Sequence, residues 1–320
     1  MTGDRLVAIG EALIDFIPSV KGVEFDEVDS FLPATGGAPA NVAGAYAALG
    51  GRSVLLTKLG NDPFGNKIIK ELGNAGIDTS YILQTDEANT ALAFVSLAPD
   101  GNRTFSFYRN PSADMLYRGS EVPAEAFEEI FALHFCSVSL GDFPMKEAHL
   151  KAIEYAKASG ALISFDPNLR FMLWDDHDKL RETVDDFLQY SDIVKISDDE
   201  LLFITGKDNI TDALPYLWNK GVRLVLFTRG SDGMSAYTGK AEASVEAPEA
   251  EAVDTTGAGD ASIGSFLWKL NSMGYGAGNI EDITSPDLKR ILGFSAAFCA
   301  ESIKHKGAIP SYPDHVDGDY

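Results

Sequence analysis

The chain is short of cysteine, histidine, tryptophan and positive charge, and each shortage closes off a class of function. Two cysteines in 320 residues, Cys136 and Cys299, stand far apart in apolar contexts. They read as buried free thiols, so no disulfide scaffold is expected. There is no C-x-x-C and no H-E-x-x-H, and the five histidines are scattered, so no transition-metal centre is expected. No apolar run approaches the roughly 18 residues of a membrane span. The opening MTGDRLVAIGEALIDF has no basic segment followed by a signal-peptide core, which reads as a cytoplasmic protein. Lys and Arg number 26 against 48 Asp and Glu, a formal net charge of −22. That argues against nucleic acid or an anionic membrane as partner. A solvated acidic surface and adaptation to high intracellular salt both fit it. Such a field also repels phosphates, so any phosphate chemistry needs local donors, helix starts or a metal. Both common nucleotide fingerprints are missing. Gly206-Lys207 and Gly239-Lys240 lack the P-loop pattern, and no G-x-G-x-x-G follows the first strand.

What is present is alternation. LVAI (6–9) predicts a strand and ANVAGAYAAL (40–49) a helix, with Val42, Ala45, Tyr46 and Leu49 on one face. SVLLTKLG (53–60) reads as a strand and its turn, and 63–76 as a helix closed by glycine. ALHFCSV, ALISF, DIVKIS and VRLVLFT continue the strands; helices are expected at KEAHLKAIEYAKASG, around 179–190, near 199–205 and at 211–220. This order predicts an α/β fold with a mainly parallel sheet covered on both faces. Residues 11–34 and 89–118 break it. NTALAFVSLAPDGNRTFSFYR holds two β-rich runs about the turn Pro99-Asp100-Gly101-Asn102, a hairpin signal. We therefore expect a core of 1–10, 35–88 and 119–320, with a small β lid from 11–34 and 89–118. The tail after Pro310 is acidic and reads as frayed.

The chemistry-bearing stretches follow the strands. DTTGAGD (254–260) precedes ASIGSFLWKL, where Ile263, Phe266, Leu267 and Leu270 recur at helical spacing. Gly257, Ala258 and Gly259 would bring unhindered N–H groups and the helix dipole to an anion. Asp260 would stand beside that cradle, ionised at neutral pH, a weak base able to take a proton from an attacking alcohol. An ordinary cap is the competing reading. GGAPANVA (36–43) offers Gly36, Gly37 and the Asn41 amide, which suit a polyol or simply a tight turn. Asp15, inside the apolar GEALIDF, either meets solvent or binds sugar hydroxyls. FDPNLR (165–170), with Asn168 and Arg170, ends a strand where open α/β sheets build ligand crevices. In SDDE (197–200), Glu200 could orient water on Mg²⁺, or the run is simply a solvated helix start. In TRGSDG (228–233), Thr228, Gly230 and Gly233 would let a nucleotide lie against the backbone, though by itself the piece reads first as a plain turn.

GGAPANVA early and DTTGAGD late closely resemble the two signatures of the ribokinase-like (PfkB) carbohydrate kinase family. GEALIDF, FYRNPSADM, FDPNLR, KISDDE and TRGSDG match in position and order, so the resemblance covers essentially the whole chain. GGAPANVA, TALAFV, FYRNPSADM and DPNLR are most similar to fructokinases within the family. The resemblance implies a ribokinase-like three-layer core with a β lid, and transfer of the ATP γ-phosphoryl to a primary hydroxyl. It implies Asp260 as base and residues 257–259 as anion hole. Asp15, Gly36, Gly37, Asn41, Tyr108, Arg109, Asn168 and Arg170 are implied at the sugar. Ser197, Thr228, Gly230, Ser231 and Gly233 are implied at the nucleotide, Glu200 at Mg²⁺ through water, and Asp254 and Thr256 at K⁺. Ser197 replaces the asparagine of the family's N-x-x-E, leaving Glu200 as the residue that carries over. The expected reaction is D-fructose plus ATP to D-fructose 6-phosphate. Alternatives are 2-keto-3-deoxygluconate or another sugar, a non-catalytic sensor, or a nicotinamide oxidoreductase. A homodimer through the lid is expected.

Overall fold

A computed structural model describes residues 3–20, 22–23, 25–97 and 103–318. The turn at 99–102 lies outside them. In chain order the strands are β1 (Arg5–Ile9), β2 (Leu13–Pro18), β3 (Phe31–Gly36), β4 (Arg52–Leu56), β5 (Lys58–Gly60), β6 (Ile77–Asp78), β7 (Leu83–Thr85), β8 (Ala91–Leu97), β9 (Arg103–Tyr108), β10 (Ile130–Cys136), β11 (Leu162–Asp166), β12 (Ile193–Ser197), β13 (Leu224–Thr228), β14 (Met234–Thr238) and β15 (Glu242–Val245). The helices are α1 (Ala38–Ala48), α2 (Pro63–Asn74), α3 (Met145–Ala158), α4 (His177–Leu188), α5 (Asp198–Thr205), α6 (Ile210–Asn219), α7 (Ala258–Ser272) and α8 (Ser285–Ser302).

Nine strands form one sheet in the order β15-β14-β13-β12-β11-β10-β1-β4-β6. Every pair from β13 to β6 is parallel. Such strands are buried on both faces, and β10 and β11 are buried at every position. Side-chain alternation sends Val194 and Ile196 of β12 towards α3–α6, and Ile193 towards α7 and α8. The sheet therefore lies between two helical layers, as the alternation predicted. The segment after β13 departs from expectation. It returns antiparallel as β14 and β15 before reaching α7.

A second sheet has the order β3-β2-β8-β9. Its β3 runs on to Gly36, with only Gly37 between it and the start of α1. One face packs on α2: Phe16 meets Phe64 edge-on, and Thr35 donates to Glu71 at 2.6 Å. Asp15 lies on the opposite face. Both cysteines are free, Cys136 buried and Cys299 half-buried. The C-terminal segment is not frayed up to Tyr312. That ring packs against Phe298, and Ser311 is buried, because α8 leaves apolar surface for the segment to cover.

Candidate active site

The site is built where α1 and α7 cross. A methyl on Gly264 would lie 2.7 Å from Ala45 Cβ and 2.8 Å from the Val42 carbonyl, so the two helices touch through small residues. One turn back on each helix, Asn41 and Asp260 then share the same contact. Asn41 Nδ2 donates to Asp260 Oδ2 at 2.8 Å, joining positions 219 apart in sequence. Asn41 is 6% exposed, and its Oδ1 is buried without a partner among the described residues. An orphaned buried acceptor of this kind suits a ligand hydroxyl.

Gly257 caps α7 in the left-handed conformation at φ 74°. A side chain there would strike Ala308 Cβ at 2.5 Å and the Tyr312 hydroxyl at 2.8 Å. The backing is local: Tyr312 Oη donates to Gly257 O at 3.2 Å, and Gly307 N–H donates to Asp254 at 2.9 Å. Asp254 also accepts from the Thr256 N–H and hydroxyl. The Ala258 N–H donates to Thr255 O at 3.2 Å, whereas helix geometry leaves the Gly259 N–H without an intrahelical acceptor.

Asp260 differs from the expectation that it is fully ionised at neutral pH. Burial pushes its carboxyl up to about 7; the Asn41 hydrogen bond pulls down, Asp166 pushes up, and Lys195 and Arg170 pull down. A helix start alone suggested stabilised charge, but four surrounding elements dehydrate the group.

Two neighbours were not singled out in the sequence. Asp166 and Lys195 form a buried ion pair at 2.8 Å. Burial opposes the Lys195 charge, but Asp166 and Glu200 outweigh it and hold the ammonium above its ordinary value. The available signal was a charged residue at the same end of each of two adjacent parallel strands, DPNLR and DIVKIS. The Asn168 backbone is left-handed at φ 44°, and Arg170 is half-buried beside these carboxylates. Glu200 ties the strands together. Its Oε1 accepts from the Leu169 N–H at 2.7 Å, and its Oε2 accepts from the Ser197 N–H and hydroxyl. Ser197 thus caps α5 in the position where asparagine was expected. It pairs in register with Thr228, which leads into the Gly230–Gly233 turn. Ser231 is exposed on that turn. Among the described residues, no group of three or more His, Cys, Asp or Glu is arranged to hold a metal ion.

On the second sheet, a methyl on Gly36 would lie 2.1 Å from Asp15 Oδ2, and one on Gly37 would lie 2.4 Å from the Glu11 carbonyl. These glycines let the carboxylate and backbone approach. Tyr108 and Arg109 are not where the sequence suggested. Tyr108 pairs with Leu92 and packs edge-on against Phe94, on the α2 face; alternation puts Phe107, opposite Ala93, on the Asp15 face. Arg109 turns back into the protein. Its Nε donates to Asp114 at 3.0 Å, its Nη1 to Val138 O at 3.2 Å, and its Nη2 to Ser139 at 3.1 Å. Asp114, five residues on, neutralises it in a buried pocket.

A model of the pfkB family of carbohydrate kinases matches residues 4–315. The chain is 42% identical over 319 residues to probable fructokinase-3 of Arabidopsis thaliana, covering 99% of this chain and 91% of that one. It is 42% identical over 313 residues to fructokinase-2 of Solanum habrochaites, covering 96% and 93%. Among solved structures, the fructokinase with bound ATP from Xylella fastidiosa superposes with a TM-score of 0.87 at 33% identity, covering 97% of this chain and 95% of that one. The Vibrio cholerae O395 fructokinase bound to fructose, ADP and calcium gives a TM-score of 0.86 at 31% identity, covering 98% and 97%. With the fold, the α1–α7 contact and these likenesses in agreement, the chain belongs to the pfkB family of carbohydrate kinases.

Proposed function

We propose that the protein is an ATP-dependent fructokinase that transfers the γ-phosphoryl of ATP to the 6-hydroxyl of D-fructose. The observation that carries this is the buried Asp260 carboxylate in the first turn of α7, held by Asn41. Near its shifted pKa of about 7 it is a better proton acceptor than an exposed aspartate, and it still ionises in neutral solution. The sugar lies between the Asp15 face of the second sheet, which acts as a lid, and Gly36, Gly37 and Asn41. Asn41 Oδ1 accepts from a sugar hydroxyl. Gly257 and Gly259 take the anion-hole role first, since the Ala258 amide is committed to Thr255. Arg170 offsets phosphate charge beside the reversed loop at Asn168. Thr228, Gly230, Ser231 and Gly233 form the nucleotide bed, with Ser197 at its edge. Positioning and electrostatics do most of the work.

Mg²⁺ fits as an outer contact. Three protein donors already occupy Glu200, which leaves it room to orient a metal-bound water rather than to ligate directly. The ion would screen the phosphates of ATP. A K⁺ ion fits near Asp254 and Thr256, whose loop backs Gly257; there it would steady the anion hole. We place the enzyme in the cytoplasm; among the described residues no helix is long and apolar enough to cross a membrane. Phe25 and Tyr108, both packed on Phe94, are exposed on the α2 side of the second sheet, a surface suited to a homodimer, which sedimentation would detect.

Of the two arginines that would suit the carboxylate of 2-keto-3-deoxygluconate, Arg109 and Arg170, the first is neutralised by Asp114, which weakens that reading. ADP release measured across D-fructose, 2-keto-3-deoxygluconate and D-ribose, with and without K⁺, tests the proposal. Highest kcat/KM with fructose is expected. Preference for another sugar, or no sugar-dependent release, overturns it.

A further inference from the structure

The Lys195–Asp166 pair has no part in the reaction as assigned so far. Alternation places Lys195 on the same side of β12 as Ile193, and Asp166 on the same side of β11 as Leu162; both neighbours pack into the α7–α8 layer. The two charged side chains are 6% and 0% exposed. A buried ion pair is a weak device for stability, because desolvation offsets most of its attraction. Its place gives a better reason. A methyl on Gly259 would lie 3.5 Å from Lys195 Nζ, so the ammonium sits directly against the first turn of α7. That turn carries Asp260 and the amides assigned to the anion hole. The groups facing Asp260 are Asn41 from α1, Cys136 from β10, Asp166 from β11, Arg170 from the following loop, Lys195 from β12 and Tyr312 from the C-terminal segment. Lys195 and Arg170 are the cations in that set, and Lys195 is the one fixed by a buried partner.

We propose that Lys195, clamped by Asp166, is a positioning residue for phosphoryl transfer: its ammonium fixes the first turn of α7 and offsets the negative charge that Asp260 and the incoming phosphates bring together. This rests on the fructokinase reading. Arg170 is half-exposed and hydrogen-bonds its neighbour's carbonyl at Leu169, so its position is set by the loop rather than by the sheet.

The test uses the full chain with Lys195→Met, Lys195→Arg and Asp166→Asn, and Asp260→Asn as control. Steady-state kinetics with fructose and ATP, the acid limb of kcat/KM and thermal unfolding are measured for each. Lys195→Met is expected to lose about a hundredfold in kcat with the fructose KM within about threefold. Its acid limb should move to higher pH, since the lysine draws the Asp260 carboxyl down. Lys195→Arg should restore much of kcat and return the limb, and Asp166→Asn should fall between. Near-normal kcat with an unmoved limb in Lys195→Met overturns the inference. So does Lys195→Arg matching Lys195→Met in both lost activity and lost thermal stability, the mark of a purely structural role. Should Lys195→Met fail to fold, the Arg and Asn variants decide by the same criteria. A wild-type chain without fructose-dependent ADP release would sink the fructokinase reading instead; an active wild type with inactive Asp260→Asn and fully active Lys195→Met sinks only this inference.

Discussion

Asn41 Nδ2 and Asp260 Oδ2 are 2.8 Å apart across the contact of α1 with α7, so the proposed base is held by a residue from the other end of the chain. Asn41→Leu keeps the volume and removes the donor. Because that hydrogen bond draws the Asp260 carboxyl down, its loss should move the acid limb of kcat/KM upward by about one pH unit. The fructose KM should rise about tenfold as Oδ1 is lost too. Kinetics from pH 5 to 9 check both, and an unmoved limb with normal KM would contradict the assignment.

Asp260→Asn should cut turnover by at least about a thousandfold while sugar and ATP affinities, read by calorimetry, hold. In the wild type, Asp260 must be ionised to accept a proton. With its carboxyl lifted to about 7, kcat/KM should be flat above that pH and fall tenfold per unit below it.

The same shift carries a stability consequence of opposite sense. Folded Asp260 binds its proton up to about 7, but the unfolded group releases it near the ordinary aspartate value of 3.8. Between those values the folded state binds more protons, so this group's contribution to stability falls as pH rises. Asp260→Asn removes that cost. Its unfolding midpoint should exceed wild type by about 3 °C or more at pH 8, and the difference should vanish near pH 4. Equal midpoints at pH 8 would count against a buried charge.

Gly36→Ala drives a methyl to within 2.1 Å of Asp15 Oδ2. Asp15 must shift, and the fructose KM should rise about tenfold or more with the ATP KM little changed. A matched rise in both would place Asp15 away from the sugar.

Much of this was legible in the sequence because it is local. The parallel sheet shows in the spacing of buried strands, and the α7 cradle in DTTGAGD. What escaped needed partners distant in sequence. Lys195 and Asp166 meet because β11 and β12 lie side by side, which no single run of residues reveals. Asp260 looked ionised because its own helix start favours charge; the dehydration comes from α1, β10, β11 and the C-terminal segment. Tyr108 came from the family resemblance, which does not say which face of the strand a residue takes; a one-residue step exchanges the two faces of a sheet. Arg109 was misplaced because FYRNPSADM does not show that its own aspartate, Asp114, turns back to pair with the arginine.

The small sheet is joined to the core beside Gly10 and again at Gly37, and it carries Asp15, whereas Asp260 stands on α7 and the Asp166–Lys195 pair on β11 and β12. Asn41 of α1 stands between the two: in the proposed reading its Oδ1 meets the sugar while its Nδ2 holds Asp260, so acceptor choice and proton transfer share one amide. A substitution confined to the small sheet is therefore expected to shift sugar preference alone, whereas one at Asn41 shifts preference and rate together.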